Sequence, residues 1–114
     1  MSENLELPIE TDVATVDSML KAGDDFLLLD VRGTDEYCIA KISGSLLLPM
    51  SELGNRVGEL EEHRDRLIVV HCHHGGRSLQ ITQVLRNNGF AKVQNMAGGI
   101  DAWSQQIDSS VARY

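Results

Sequence analysis

Residues 66–89 read RLIVVHCHHGGRSLQITQVLRNNG. Leu67 to Val70 form a continuous apolar, largely β-branched run of strand length, the mark of a strand buried on both faces, and the strand is expected over Arg66 to Cys72. From Arg77 the pattern changes to helical spacing, with Leu79, Thr82 and Leu85, and Ile81 and Val84, expected to face inward and Gly89 to end the helix. Only His73, His74, Gly75 and Gly76 separate the two. A buried strand passing through a short glycine loop into a helix is the repeating unit of a parallel α/β sheet.

The flanking sequence repeats the alternation. Asp12 can cap a helix carrying Val13, Val16, Met19 and Leu20, with Gly23 as its stop. FLLLDV (Phe26 to Val31) is a second buried strand, GTDEYCIAK (Gly33 to Lys41) a short helix with Thr34 near its start, and ISGSLLLP (Ile42 to Pro49) a strand ended by proline. SELGNRVGELEEH (Ser51 to His63) offers Ser51 as a cap to a helix weakened by Gly54 and Gly58. KVQNM (Lys92 to Met96) returns to the sheet, and GGIDAWSQQI (Gly98 to Ile107) forms the last helix. The expected fold is α/β, with parallel strands, right-handed crossovers and helices on both faces. No repeat or linker divides residues 1–114, so one domain with its core at about 9–107 is expected, with fraying limited to Met1–Glu6 and Ser109–Tyr114.

Composition narrows the function. A net charge of −7 with no Lys/Arg cluster argues against nucleic acid or anionic membranes as partners and leaves room for a small anion at one local positive site. No apolar run is long enough to span a bilayer. The acidic start MSENLELPIETD lacks the features of a secretory signal, which implies a reducing cytoplasm and free thiols for Cys38 and Cys72.

Cys72 stands at the C-terminal end of its strand, where open α/β sheets bind ligands. Gly75 and Gly76 allow the loop to turn backbone N–H groups inward, the following helix adds positive potential, and Arg77, five residues on, supplies a cation. Such a setting stabilises a thiolate. A purely structural cysteine would need neither the cradle nor the arginine. His71, Cys72, His73 and His74 are all metal-ligating types, but neighbouring strand residues face opposite ways and nothing distant completes a tetrahedron, so no metal is expected. His63 lies in a charged stretch and is expected to be solvated, and Cys38 to be a small buried hydrophobe. A resolving role for Cys38 would require its Cα within about 7 Å of that of Cys72. Arg32 is expected to pair with Glu36, Asp30 to accept loop N–H groups, and Ile100 and Trp103 to belong to the core.

Three motifs, in order, resemble those of single-domain rhodaneses: LLLDVRGTDEY (Leu27 to Tyr37), the loop CHHGGR (Cys72 to Arg77) and MAGGIDAW (Met96 to Trp103). The resemblance runs from about Ile9 to Ile107. AKISGS (Ala40 to Ser45) departs from it, with Lys41 where the family often has His and Ser45 where it often has Ala. It implies about five mostly parallel strands and a sulfurtransferase in which Cys72 carries sulfur as a persulfide and Arg77 neutralises a departing anion. His73, His74, Gly75, Gly76 and Ser78 would bind the substrate. No cofactor is implied. The partners would be a small anionic donor such as thiosulfate and a thiol, cyanide or protein acceptor. Phosphatases of related fold have one more residue between cysteine and arginine than the four found here, so phosphatase or arsenate-reductase activity ranks below sulfur transfer. A non-catalytic interaction module is the alternative from another class, and the intact cysteine and arginine speak against it.

Overall fold

The computed structural model describes residues 7–114. Five strands, β1 (Glu10–Thr11), β2 (Phe26–Asp30), β3 (Leu46–Leu47), β4 (Leu67–His71) and β5 (Val93–Met96), form one sheet in the order β1-β5-β4-β2-β3. Every pairing is parallel. The apolar runs behave as expected of strands covered on both faces, with β2 and β5 buried along their whole length.

Alternation along the strands divides the core in two. Leu27, Leu29, Val31, Ile68, Val70 and Cys72 face the side covered by α3 (Leu53–Arg56) and α4 (Gly76–Asn87). Phe26, Leu28, Val69 and Met96 face the side covered by α1 (Val13–Ala22) and α5 (Gly99–Gln106), whose Val13, Val16, Ile100 and Trp103 complete the second cluster. Ile100 and Trp103 are core residues, as expected.

Local signals set the helix ends. Asp12 accepts the Thr15 N–H at 2.8 Å, and Gly23 closes α1 at a φ of 71°. The short helix α2 (Thr34–Ile39) follows β2, and none of its residues is buried.

Several expectations need correction. The strand β1 was not anticipated, because two residues are too few to show a period. ISGSLLLP contributes only Leu46–Leu47, since Ser45 turns back onto the Ile42 carbonyl at Gly44, whose φ is 88°. Residues 51–63 make no continuous helix and Ser51 caps nothing. A 3-10 turn (Met50–Glu52), the single turn α3 and a second 3-10 stretch (Val57–His63) follow one another, broken near Gly54 and Gly58. Val84 is 45% exposed, because the buried stripe of α4 is Ser78, Ile81, Thr82 and Leu85, whose spacing leaves Val84 to one side. Cys38 is exposed on α2, which packs none of its residues inward. The His63 side chain is only 13% exposed, tucked against Arg66 with 2.7 Å between Nδ1 and Nη1. The fraying expected of Met1–Glu6 lies outside the described residues. Within Ser109–Tyr114, where fraying is also expected, Ser104 Oγ donates to the Val111 carbonyl, Arg113 pairs with Asp101, and Tyr114 reaches the loop after β4.

Candidate active site

The loop 72–75 leaves the central strand β4 between β2 and β5, at the C-terminal edge of the sheet. Chain order reverses direction between β2 and β4, which makes this edge a topological switch point. Gly75, at a φ of 110°, turns the chain into α4. The turn brings the N–H groups of Gly75 and Ser78 to 3.2 and 3.4 Å from Cys72 Sγ, with Ser78 Oγ at 3.3 Å. Three of the residues assigned to this site from sequence, Cys72, Gly75 and Ser78, therefore converge on one sulfur.

Cys72 is 1% exposed. Burial pushes its pKa up. Against that act the Ser78 hydroxyl, provided its proton faces the sulfur, then the Ser78 and Gly75 N–H groups and the Arg77 charge, and the balance lies below the ordinary thiol value.

The loop has a second wall. At the start of α5 the N–H of Ile100 donates to the Cys72 carbonyl at 2.9 Å, and that of Asp101 to the His73 carbonyl at 3.0 Å. This clasp needs a bare backbone at Gly99. A Cβ there would collide with the Cys72 and His73 carbonyl oxygens, and the φ of 59° is itself one that side chains disfavour. The Gly-Gly of MAGGIDAW thus has a physical purpose in seating the cysteine loop against α5.

Arg77 stands where its charge acts on Cys72, and it has a partner that the sequence did not reveal. Its guanidinium makes a two-pronged pair with Glu36, Nη1 to Oε1 at 2.7 Å and Nη2 to Oε2 at 3.0 Å. Glu36 does not pair with Arg32 through its carboxylate. Arg32 instead bonds Asp30, with Nη2–Oδ2 at 2.7 Å and both side chains fully buried, and its remaining protons go to the carbonyls of Glu36 and Ala40 and to Tyr114 Oη. A wholly buried guanidinium demands this complete set of acceptors, and Asp30 sits two residues away to supply the charge. Asp30 also accepts the Arg32 N–H, as expected of it.

Arg77, helped by Tyr114 and the Gly33 N–H, holds the Glu36 carboxyl down at about 2 despite partial burial. The Tyr114 hydroxyl donates to Glu36 Oε2 at 2.7 Å, and its ring stacks on His73 at 3.9 Å. His73 in turn stacks on His74. Burial, then the neighbouring His74, keeps His73 below the usual imidazole value, so it stays neutral at neutral pH. His74 is exposed, with Nε2 3.9 Å from Asp101 Oδ2.

Ligand-type atoms of His73, His74 and Asp101 lie within 4.8 Å of one another, the one such set among the described residues. Cys72 is not part of it, and Asp101 is already engaged by Arg113 and Gln105. His71, one strand position before Cys72 and so on the alternate face of β4, is fully buried and has no hydrogen-bond partner for either ring nitrogen.

Sequence reasoning missed Asn95, Glu10 and Tyr114. Asn95 is fully buried on β5, its Oδ1 2.5 Å from Ser78 Oγ and its Nδ2 2.9 Å from Glu10 Oε2. The one available signal was the polar pair Gln94–Asn95 inside a strand that the pattern marks as buried.

The Rhodanese-like domain family model matches residues 12–106. A sulfurtransferase of Allochromatium vinosum is 34% identical over 96 residues, spanning 84% of this chain and 88% of its own length. An adenylyltransferase and sulfurtransferase of Zea mays is 36% identical over 97 residues, which cover 81% of this chain but only 20% of that larger protein. A human single-domain sulfurtransferase superposes with a TM-score of 0.76 at 26% identity, covering 87% of this chain and 97% of its own.

Proposed function

Because the chain belongs to the rhodanese-like domain family, we propose that it is a sulfurtransferase that moves sulfane sulfur through a persulfide on Cys72, with residues 1–114 acting as one domain. The observation that carries this reading is the convergence of the Gly75 and Ser78 N–H groups on Cys72 Sγ at the mouth of a strand-to-helix loop. Such donors stabilise a sulfur anion, whether thiolate or persulfide.

In the proposed cycle the Cys72 thiolate attacks the outer sulfur of a donor such as thiosulfate. The donor's S–S bond breaks, sulfite leaves with the bonding pair, and the outer sulfur stays on Cys72 as a persulfide. An acceptor thiolate, cyanide or a carrier protein then attacks that outer sulfur, and Cys72 departs as thiolate. His73, His74, Gly75, Gly76 and Ser78 frame the donor. Arg77 supplies positive potential to the loop even while paired with Glu36, since its charge favours the Cys72 anion.

Intact-protein mass spectrometry before and after thiosulfate tests the reading. A gain of about 32 Da, one sulfur, that a thiol reverses and that Cys72→Ser lacks is the expected result. If neither thiosulfate nor a small-molecule persulfide leaves an adduct, the loop is idle and the proposal fails.

A further inference from the structure

Ser78 lies between two partners with one hydroxyl proton to give. Its Oγ is 3.3 Å from Cys72 Sγ and 2.5 Å from Asn95 Oδ1. A serine hydroxyl donates once and accepts through its lone pairs, so it cannot donate to both. The far end of the Asn95 amide decides which partner receives the proton. Asn95 Nδ2 meets Glu10 Oε2 at 2.9 Å and the Gly75 carbonyl oxygen at 3.2 Å. A carboxylate and a carbonyl can only accept, so the amide nitrogen must face them and the amide oxygen must face Ser78. An amide oxygen has no proton to offer, and the hydroxyl must supply its own.

We propose that Asn95, oriented by Glu10 and Gly75, is a positioning residue that draws the Ser78 proton away from Cys72, so that at rest the hydroxyl oxygen accepts from the cysteine S–H and favours the thiol. The Gly75 and Ser78 N–H groups and the Arg77 charge favour the thiolate, whereas a hydroxyl turned to Asn95 withholds the stabilisation it gives the anion when its proton faces the sulfur, until it swings back. That swing leaves a buried amide oxygen without its donor, which makes it costly. Ser78 and Asn95 are both fully buried. The other titratable or charged groups around the loop are His73 and His74 within it, His71 of β4, Asp30 at the end of β2 with its partner Arg32, Glu36 of α2, Arg77 of α4, Asp101 of α5, Glu10 of β1 and Tyr114, which stacks on His73. None of these is altered in the variants below.

The inference builds on Cys72 as the reactive sulfur, but its test reads thiol acidity alone and so stands or falls separately from sulfur transfer. Iodoacetamide alkylation of the full chain is followed from about pH 5 to about pH 10 and scored at Cys72 by peptide mass spectrometry, so that exposed Cys38 does not contribute. In Asn95→Leu the freed hydroxyl donates to sulfur. The midpoint of the profile falls, and alkylation below it, relative to the plateau, rises by about tenfold, the effect of one pKa unit. In Ser78→Ala the midpoint stays where it was or falls, since no donor to sulfur is lost. The Asn95→Leu shift vanishes in the Ser78→Ala background. A midpoint that rises in Ser78→Ala, or that does not fall in folded Asn95→Leu, overturns the proposal. Should Asn95→Leu not fold, Ser78→Ala alone still distinguishes the two proton positions.

Discussion

The two residues that flank the β4 terminus, His71 and Cys72, show how one step along a strand changes a side chain's task. Cys72 faces α4 and the loop donors, whereas His71 faces the opposite layer with neither ring nitrogen bonded to protein. Burial, opposed by Asp30, drives the His71 pKa down to about 4. A pKa lower in the folded than in the unfolded state means that the unfolded chain binds the proton first. Stability should therefore decline as pH falls from about 6.5 to about 4, by about 3 kcal/mol over that window. Urea midpoints at pH 7 and pH 5 check this, and His71→Leu should flatten the difference; an unchanged slope in that variant would assign the effect elsewhere. Glu36 acts in a lower window. Its depressed pKa gives stability that is present above the usual carboxylate range and lost as pH falls toward about 2.

Among the elements, the junction of the cysteine loop with α5 is the tightest constraint. The helix can begin against the Cys72 and His73 carbonyls only because Gly99 presents no side chain. Gly99→Ala should cost about 3 kcal/mol through backbone strain and forced displacement of the loop. Thermal unfolding reads the loss, and sulfur loading should fall further than stability alone explains; a variant with unaltered melting and loading would show that the clasp is dispensable. The strand-loop-helix unit and the Asp12 cap of α1 were legible in sequence because each is decided by residues within a few positions of one another. The contacts made by Glu36, Asn95 and Tyr114 were not. Each joins positions far apart in the chain, and nothing local reveals which partner the sheet order will deliver. Arg32 shows the same limit from the other side: Glu36 lies at helical spacing from it, but burial of the guanidinium selected Asp30 instead.

At the scale of the whole molecule, the strongest local cation at the site is already paired. Arg77 is bound to Glu36, and Tyr114 from the far end of the chain completes the arrangement, on a protein of net charge −7. An anionic donor therefore meets backbone dipoles more than a free guanidinium. Glu36→Gln should free Arg77 and lower KM for thiosulfate by roughly three- to tenfold at low ionic strength, an advantage that added salt removes. Steady-state kinetics at two salt concentrations give the answer, and a KM that rises or does not move would mean that the ion pair itself shapes the donor site. The sheet order carries one more consequence. The cysteine loop is held from β4 and α4, from β5 through Asn95, which bonds Ser78, and from α5, whose Gly99 lies against the loop carbonyls, while β1 reaches β5 from the beginning of the described chain. The donors nearest the sulfur, Gly75 and Ser78, belong to its own strand-loop-helix segment, whereas Asn95, Gly99 and Glu10 come to it only through the pairing of β5 with β4 and β1 and the docking of α5. The acidity of one thiol therefore reports whether the whole sheet has closed, and a partly assembled chain would betray itself by the pH at which Cys72 is alkylated.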